Sequence, residues 1–246
     1  PSTSSYSVIT AGVYTVTGTD LNLCINTQTV DLIVNSNPTI TAVSSSSAIC
    51  SGQTATLTAG GASTYTWASG PSTSSYSVIT AGVYTVTGTD LNLCINTQTV
   101  DLIVNSNPTI TAVSSSSAIC SGQTATLTAG GASTYTWASG PSTPIYSVNT
   151  AGIYTVTGAD LNLCINTQTV DLIVNSNPTI TAVSSSSAIC SGQTATLTAG
   201  GASTYTWASG PSTPIYSVNT AGIYTVTGAD LNLCINTQTV DLIVNS

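Results

Sequence analysis

The chain has no lysine, arginine, histidine, glutamate, methionine or phenylalanine in 246 residues, and its only charged side chains are eight aspartates. Each absence excludes a class of function. A serine nucleophile needs a base, and no His, Lys or Glu is present to be one. The two aspartates of a period, such as Asp90 and Asp101, are expected at different heights of a β-sandwich, too far apart to act as a carboxylate pair. The chain therefore reads as non-catalytic. A net charge of −8 with no cation leaves nothing to neutralise phosphates, which argues against nucleic acid or an anionic lipid surface as partner. No apolar run is long enough for a membrane-spanning helix, so no membrane insertion is expected. There is no C-x-x-C pair to bind zinc, and no N-x-Ser/Thr acceptor free of proline. No targeting segment is seen, but the sequence opens in mid-repeat at Pro1 and reads as a window on a longer polypeptide.

What is present is one unit, repeated. The stretch AGVYTVTGTDLNLC at Ala81–Cys94 recurs, with conservative changes, from Ala11, Ala151 and Ala221, a period of 70. Asn-Pro steps at Asn37, Asn107 and Asn177 interrupt alternating runs, and proline suits a junction because it restricts its predecessor and cannot donate to a β-ladder. The expected domains are 37–106, 107–176 and 177–246, with 1–36 as the C-terminal half of a truncated repeat. Within 37–106, period-two alternation predicts seven strands: Thr39–Val43, a short piece at Ala48–Cys50, Thr54–Ala59, Thr64–Ala68, one around Tyr76 and Val78, Val83–Thr87, and Cys94–Val104. The abundance of β-branched and aromatic residues argues against disorder. The third unit differs from the second by Ile79 to Asn149, among other changes, and such an exchange points to a solvent-facing position.

Seven cysteines at 24, 50, 94, 120, 164, 190 and 234 alternate in spacing between 26 and 44. Disulfides are the expected chemistry, which places the chain outside the cytoplasm. If Ala48–Cys50 counts as its own strand in an up-and-down traversal, the turns carrying Cys50 and Cys94 share one end of the domain. The expected pairs are then Cys50–Cys94, Cys120–Cys164 and Cys190–Cys234, with the partner of Cys24 outside the chain. If that piece merely continues the first strand, the parity flips and the two cysteines lie at opposite ends. The pairing therefore tests the strand count.

The order Ile49-Cys50-Ser51-Gly52-Gln53, Thr56-Leu57-Thr58-Ala59, Tyr65-Thr66-Trp67, Ala81-Gly82-Val83-Tyr84-Thr85-Val86-Thr87 and Cys94 resembles the Ig-like and PKD-like tandem repeats of Bacteroidota cell-surface proteins, most of all the giant gliding-motility adhesins. The resemblance implies tandem immunoglobulin-like sandwiches, export by the type IX system and display as a long fibre at the outer cell surface. It also implies partners in the motility or secretion machinery, reached through parts of the protein outside this chain.

The expected fold is thus all-β, a string of sandwich domains with about seven strands each. Trp67 and Tyr65 share one strand face and are expected in the core, as are Trp137 and Trp207, because the domain has too few large apolar residues to spare them for stacking on sugars. Tyr84, Tyr154 and Tyr224 resemble the tyrosine-corner residue and are read as structural. Asp90 and Asn92 precede Cys94. One carboxylate per loop is too few for calcium, so an Asx turn is expected, and no cofactor. The function expected is a structural stalk or filament segment of a large surface adhesin. The alternatives are a carbohydrate-binding array, which requires exposed aromatics, and a self-assembling extracellular filament. Outward Thr and Ser rows would offer weak multivalent contact to a polysaccharide or solid surface.

Overall fold

The computed structural model describes residues 4–246, so residues 1–3 of the 1–36 segment lie outside the described residues. Two compact units divide the chain at Ser106/Asn107. The first holds a hairpin of β1 (Gly12–Thr19) and β2 (Ile25–Leu32), then a seven-stranded repeat: β3 (Thr41–Ser44), β4 (Ala48–Cys50), β5 (Ala55–Gly60), β6 (Thr64–Trp67), β7 (Ser75–Val78), β8 (Gly82–Thr89) and β9 (Ile95–Asn105). The second unit holds two further seven-stranded repeats, with strands at the corresponding positions 70 and 140 residues on. Every regular element among the described residues is a strand.

Each repeat is a two-sheet sandwich. One sheet has the order β3-β5-β7 and the other β4-β9-β8-β6. Alternation decides which side chains lie between them. On β5, Ala55, Leu57 and Ala59 are buried while the intervening threonines are not. Trp67, Val86 and Leu102 close the core from the opposite sheet, with Ile40, Ile49 and Val78 at its margins. Among the described residues no polar or charged side chain is buried. The core is purely apolar, and the Thr and Ser rows face water. Ile79 is 60% exposed, in keeping with its exchange for Asn149 in the next unit.

The traversal is not up-and-down. The chain leaves β3 in the first sheet, passes through residues 45–47, and enters the second sheet as β4, which runs parallel to β9 with Ala48, Ile49 and Cys50 opposite Ile103, Val104 and Asn105. Ser51 N–H continues the ladder by donating to Asn105 O at 2.8 Å. Cys50 therefore sits beside the last residue of β9, while Cys94 sits just before its first. β9 is 11 residues long, which separates the two cysteines by about 36 Å at ~3.3 Å per residue.

Gly61 makes the β5–β6 turn possible. Its φ is +92°, and a Cβ there would lie 1.9 Å from Thr39 O. Gly52 shares the left-handed backbone (φ +88°) but faces open space. Gly61→Ala is expected to destabilise the 37–106 repeat by about 3 kcal/mol, from backbone strain plus overpacking, and Gly52→Ala by only about 1 kcal/mol. Amide exchange in 37–106, read against the two unmutated repeats as internal references, checks this, and equal losses would contradict it.

Candidate functional site

The chemistry of this chain lies in its cysteines and in the turns that present them. The first presenting turn ends the short parallel strand. Around Cys120, the counterpart of Cys50, the Cys120 N–H donates to Gln123 Oε1 at 2.9 Å, and Gln123 N–H donates back to Cys120 O at 2.9 Å. Ile119, 7% exposed, pins the strand to the core, so the next residue is delivered to the rim next to Asn175.

The second turn joins the last two strands of each repeat. In residues 230–234, Asp230 Oδ1 accepts from the N–H groups of Asn232 and Cys234, both at 2.9 Å. Leu233 N–H donates to Asp230 O at 3.1 Å, with Leu233 held at φ +62°. This is an Asx turn, with one carboxylate organising the loop. The same bonds recur at Asp20, Asp90 and Asp160. Shallow depressions adjoin two of these turns, ≈ 370 Å³ beside Asp90 and ≈ 380 Å³ beside Asp160. Each contains one carboxylate, and that carboxylate is already bonded to its own loop.

Asn236 Nδ2 donates to Pro178 O at 3.0 Å, which fixes this turn beside the start of its repeat. The two presenting turns therefore lie at opposite ends of a repeat, and within the second unit the cysteine at the far end of 107–176 meets the cysteine at the near end of 177–246. Cys120 is bonded to Cys234 across 114 residues, with Cα atoms 5.4 Å apart. A second contact crosses the same junction, Asn177 Nδ2 donating to Ser121 O at 3.3 Å. Cys50 and Cys164 are also disulfide-bonded, while Cys24, Cys94 and Cys190 carry free thiols.

The expected pairs Cys50–Cys94, Cys120–Cys164 and Cys190–Cys234 are thereby corrected. The roughly 36 Å between the two cysteines of one repeat far exceeds the ~7 Å that a disulfide can span. Neither strand count applies as stated: Ala48–Cys50 is a strand of its own, but it crosses to the other sheet and pairs with β9, which puts the two cysteines at opposite ends. Closing a 114-residue loop stabilises by roughly 5 kcal/mol in the chain-entropy picture.

The aromatics stand elsewhere. Trp67, Trp137 and Trp207 are each 1% exposed, with Nε1–H donating to Thr73, Thr143 and Thr213 O at 3.1 Å. Tyr65 is half-buried, its hydroxyl donating to Ala62 O and accepting from Ala62 N–H, both at 2.8 Å. Tyr84, Tyr154 and Tyr224 donate to Thr80, Thr150 and Thr220 O at 2.7–2.8 Å. A ring sealed in the core cannot stack on a sugar, which removes the basis for a carbohydrate-binding array built on Trp67. Sequence reasoning treated the cysteines as a closed set within each repeat and so missed the junction as the site. The spacing itself admits the observed match, because 114 is the 44-residue interval plus one period.

No protein-family model matches the sequence, and no curated protein matches it. Solved structures do match in fold. The N-terminal eight Ig domains of Down Syndrome Cell Adhesion Molecule (DSCAM) align with 96% of this chain at 15% identity and a TM-score of 0.50, and the chain spans about 40% of that structure's length. Titin domains I67–I69 align with 86% of this chain, over their full length, at 14% identity and a TM-score of 0.41. The repeats are immunoglobulin-like sandwiches in tandem.

Alkylation of the native protein with a maleimide is expected to label Cys24, Cys94 and Cys190 only. Non-reducing digestion with a non-tryptic protease is expected to release a Cys120–Cys234 cross-linked peptide. A Cys120–Cys164 peptide would contradict the strand order.

Proposed function

We propose that this chain is a non-catalytic stalk segment of a secreted bacterial surface adhesin, built so that neighbouring repeats are covalently clasped as well as consecutive in sequence. The observation that carries the reading is the Cys120–Cys234 bond, which joins two adjacent sandwiches side by side with their peptide connection. A disulfide such as this belongs to an oxidising, extracellular setting. The lack of cations, catalytic bases and exposed core aromatics fits a module whose task is to span distance while staying wet. At about 35 Å per repeat, from strands of roughly seven to ten residues, length grows with copy number. The Ile49–Gln53, Tyr65–Trp67 and Ala81–Thr87 motifs support placement among the fibres of Bacteroidota surfaces, with type IX export and a role in gliding or attachment. Adhesion to polysaccharide or a solid surface, and coupling to motility machinery, would then fall to other parts of the protein.

The clasp changes how such a stalk answers tension. A pull on residues 107 and 246 can travel from Cys120 straight to Cys234, so the residues between them bear no load and release no length even when both repeats unfold. With handles at residues 107 and 246 of the full chain, single-molecule pulling is expected to give a fully extended length shorter by roughly 390 Å in the oxidised protein than after reduction or in Cys234→Ser, from 114 residues at ~3.4 Å each. Equal lengths would defeat the load-bearing reading.

A further inference from the structure

The sequence INTQTVD stands at 95–101, 165–171 and 235–241, and in each full repeat it forms the exposed first part of an 11-residue strand. Ile95, Thr97, Thr99 and Val100 are β-branched, there is no proline, and Asp101 carries the only charge. A segment of this kind is a template for another strand wherever its edge is open. On β9 it is open: β8 pairs with residues 95–102 on one side, but β4 reaches only residues 103–105 on the other. Identical copies heighten the hazard, because the open edge of one chain meets the same sequence on the next. A chain without lysine also lacks the side chain that most often blunts such an edge.

The ladder shows which backbone groups are at stake. In an antiparallel pair, alternate residues turn their N–H and C=O toward the partner and away from it. The Asp90 N–H to Cys94 O bond sets the phase, so Asn96, Gln98 and Val100 address β8 while Thr97, Thr99 and Asp101 address the open side. The same side carries Ile103 N–H, which donates to Ser47 O at 3.1 Å where β4 begins. Ahead of that point the strand supplies its own acceptors. Asn96 Oδ1 accepts from Thr97 N–H at 2.9 Å, and Gln98 Oε1 accepts from Thr99 N–H at 3.0 Å. The bonds recur at Thr167 and Thr169 and at Thr237 and Thr239, all at 2.9 or 3.0 Å. The Asn96 amide is aimed by its other end, Nδ2 donating to Pro38 O at 2.9 Å. Water could serve these exposed N–H groups as well, so the amide oxygens add little to stability. Their effect falls on whatever else would bond there.

We propose that Asn96 and Gln98, with Asn166, Gln168, Asn236 and Gln238, are autoinhibitory contacts that keep the open half of the last strand from pairing with the same strand of a second copy of this chain. An incoming strand needs the Thr97 and Thr99 N–H groups as donors to its carbonyls, and finds both already engaged. Loss of the side-chain acceptors frees the donors and converts the edge into a site for strand addition. The inference is independent of the stalk reading.

The test uses the full chain with its three free thiols alkylated, so that stray disulfides do not join copies. Replacing all three glutamines by alanine (Q98A, Q168A and Q238A together) is expected to raise the self-association constant in sedimentation at least tenfold over the parent, with new amide-exchange protection at 95–101, 165–171 and 235–241. Replacing them by asparagine (Q98N, Q168N and Q238N) retains an acceptor of the kind Asn96 already offers, and is expected to leave association at the parent level. An alanine variant that associates no more than the parent would overturn the proposal, as would an asparagine variant that associates as strongly as the alanine one. Association without protection of those stretches would do the same. A measurement on the unsubstituted protein stands apart from any folding defect: Thr97 and Thr99 amides are expected to show exchange protection factors at least tenfold above that of Asp101, and equal factors would overturn the contacts themselves.

Discussion

The three-residue parallel strand Ala48–Cys50 is the constraint from which the junction follows. Pairing Ile49 with Val104 commits the next residue to the far end of β9, whatever else the repeat does. The hairpin turn, tied by Asp90, commits the other cysteine to the near end. A repeat built this way cannot satisfy its own two sulfurs. Cooperation between neighbours is therefore written into the register of a single strand.

The core plays a supporting part that is easy to understate. Each repeat buries only nine to eleven side chains, and three of those in 37–106 are Ala55, Leu57 and Ala59 on β5. Small domains with cores of this size are marginal on hydrophobic burial alone. Trp67 compensates by filling the centre, with its indole nitrogen bonded to Thr73 O and its ring tilted against Tyr76 at 6.0 Å.

Much of this was legible in the residues. Alternation on Ala55–Gly60 gave the inward face directly, the seven strands are where the pattern puts them, and the Asp90 loop is the Asx turn that a lone carboxylate suggests. The sheet to which Ala48–Cys50 belongs was not legible. Three residues carry too little periodicity to show whether a strand reverses or changes sheets, and disulfide pairing magnifies that one ambiguity into the wrong partner.

A bond between Cys120 and Cys234 also imposes a timetable. The ribosome delivers the second sulfur 114 residues after the first, and domains tend to fold in order of synthesis. Each finished sandwich must therefore hold a reduced thiol at its trailing edge until its successor has formed the hairpin that answers it. Closure of that junction then follows the folding of the later repeat.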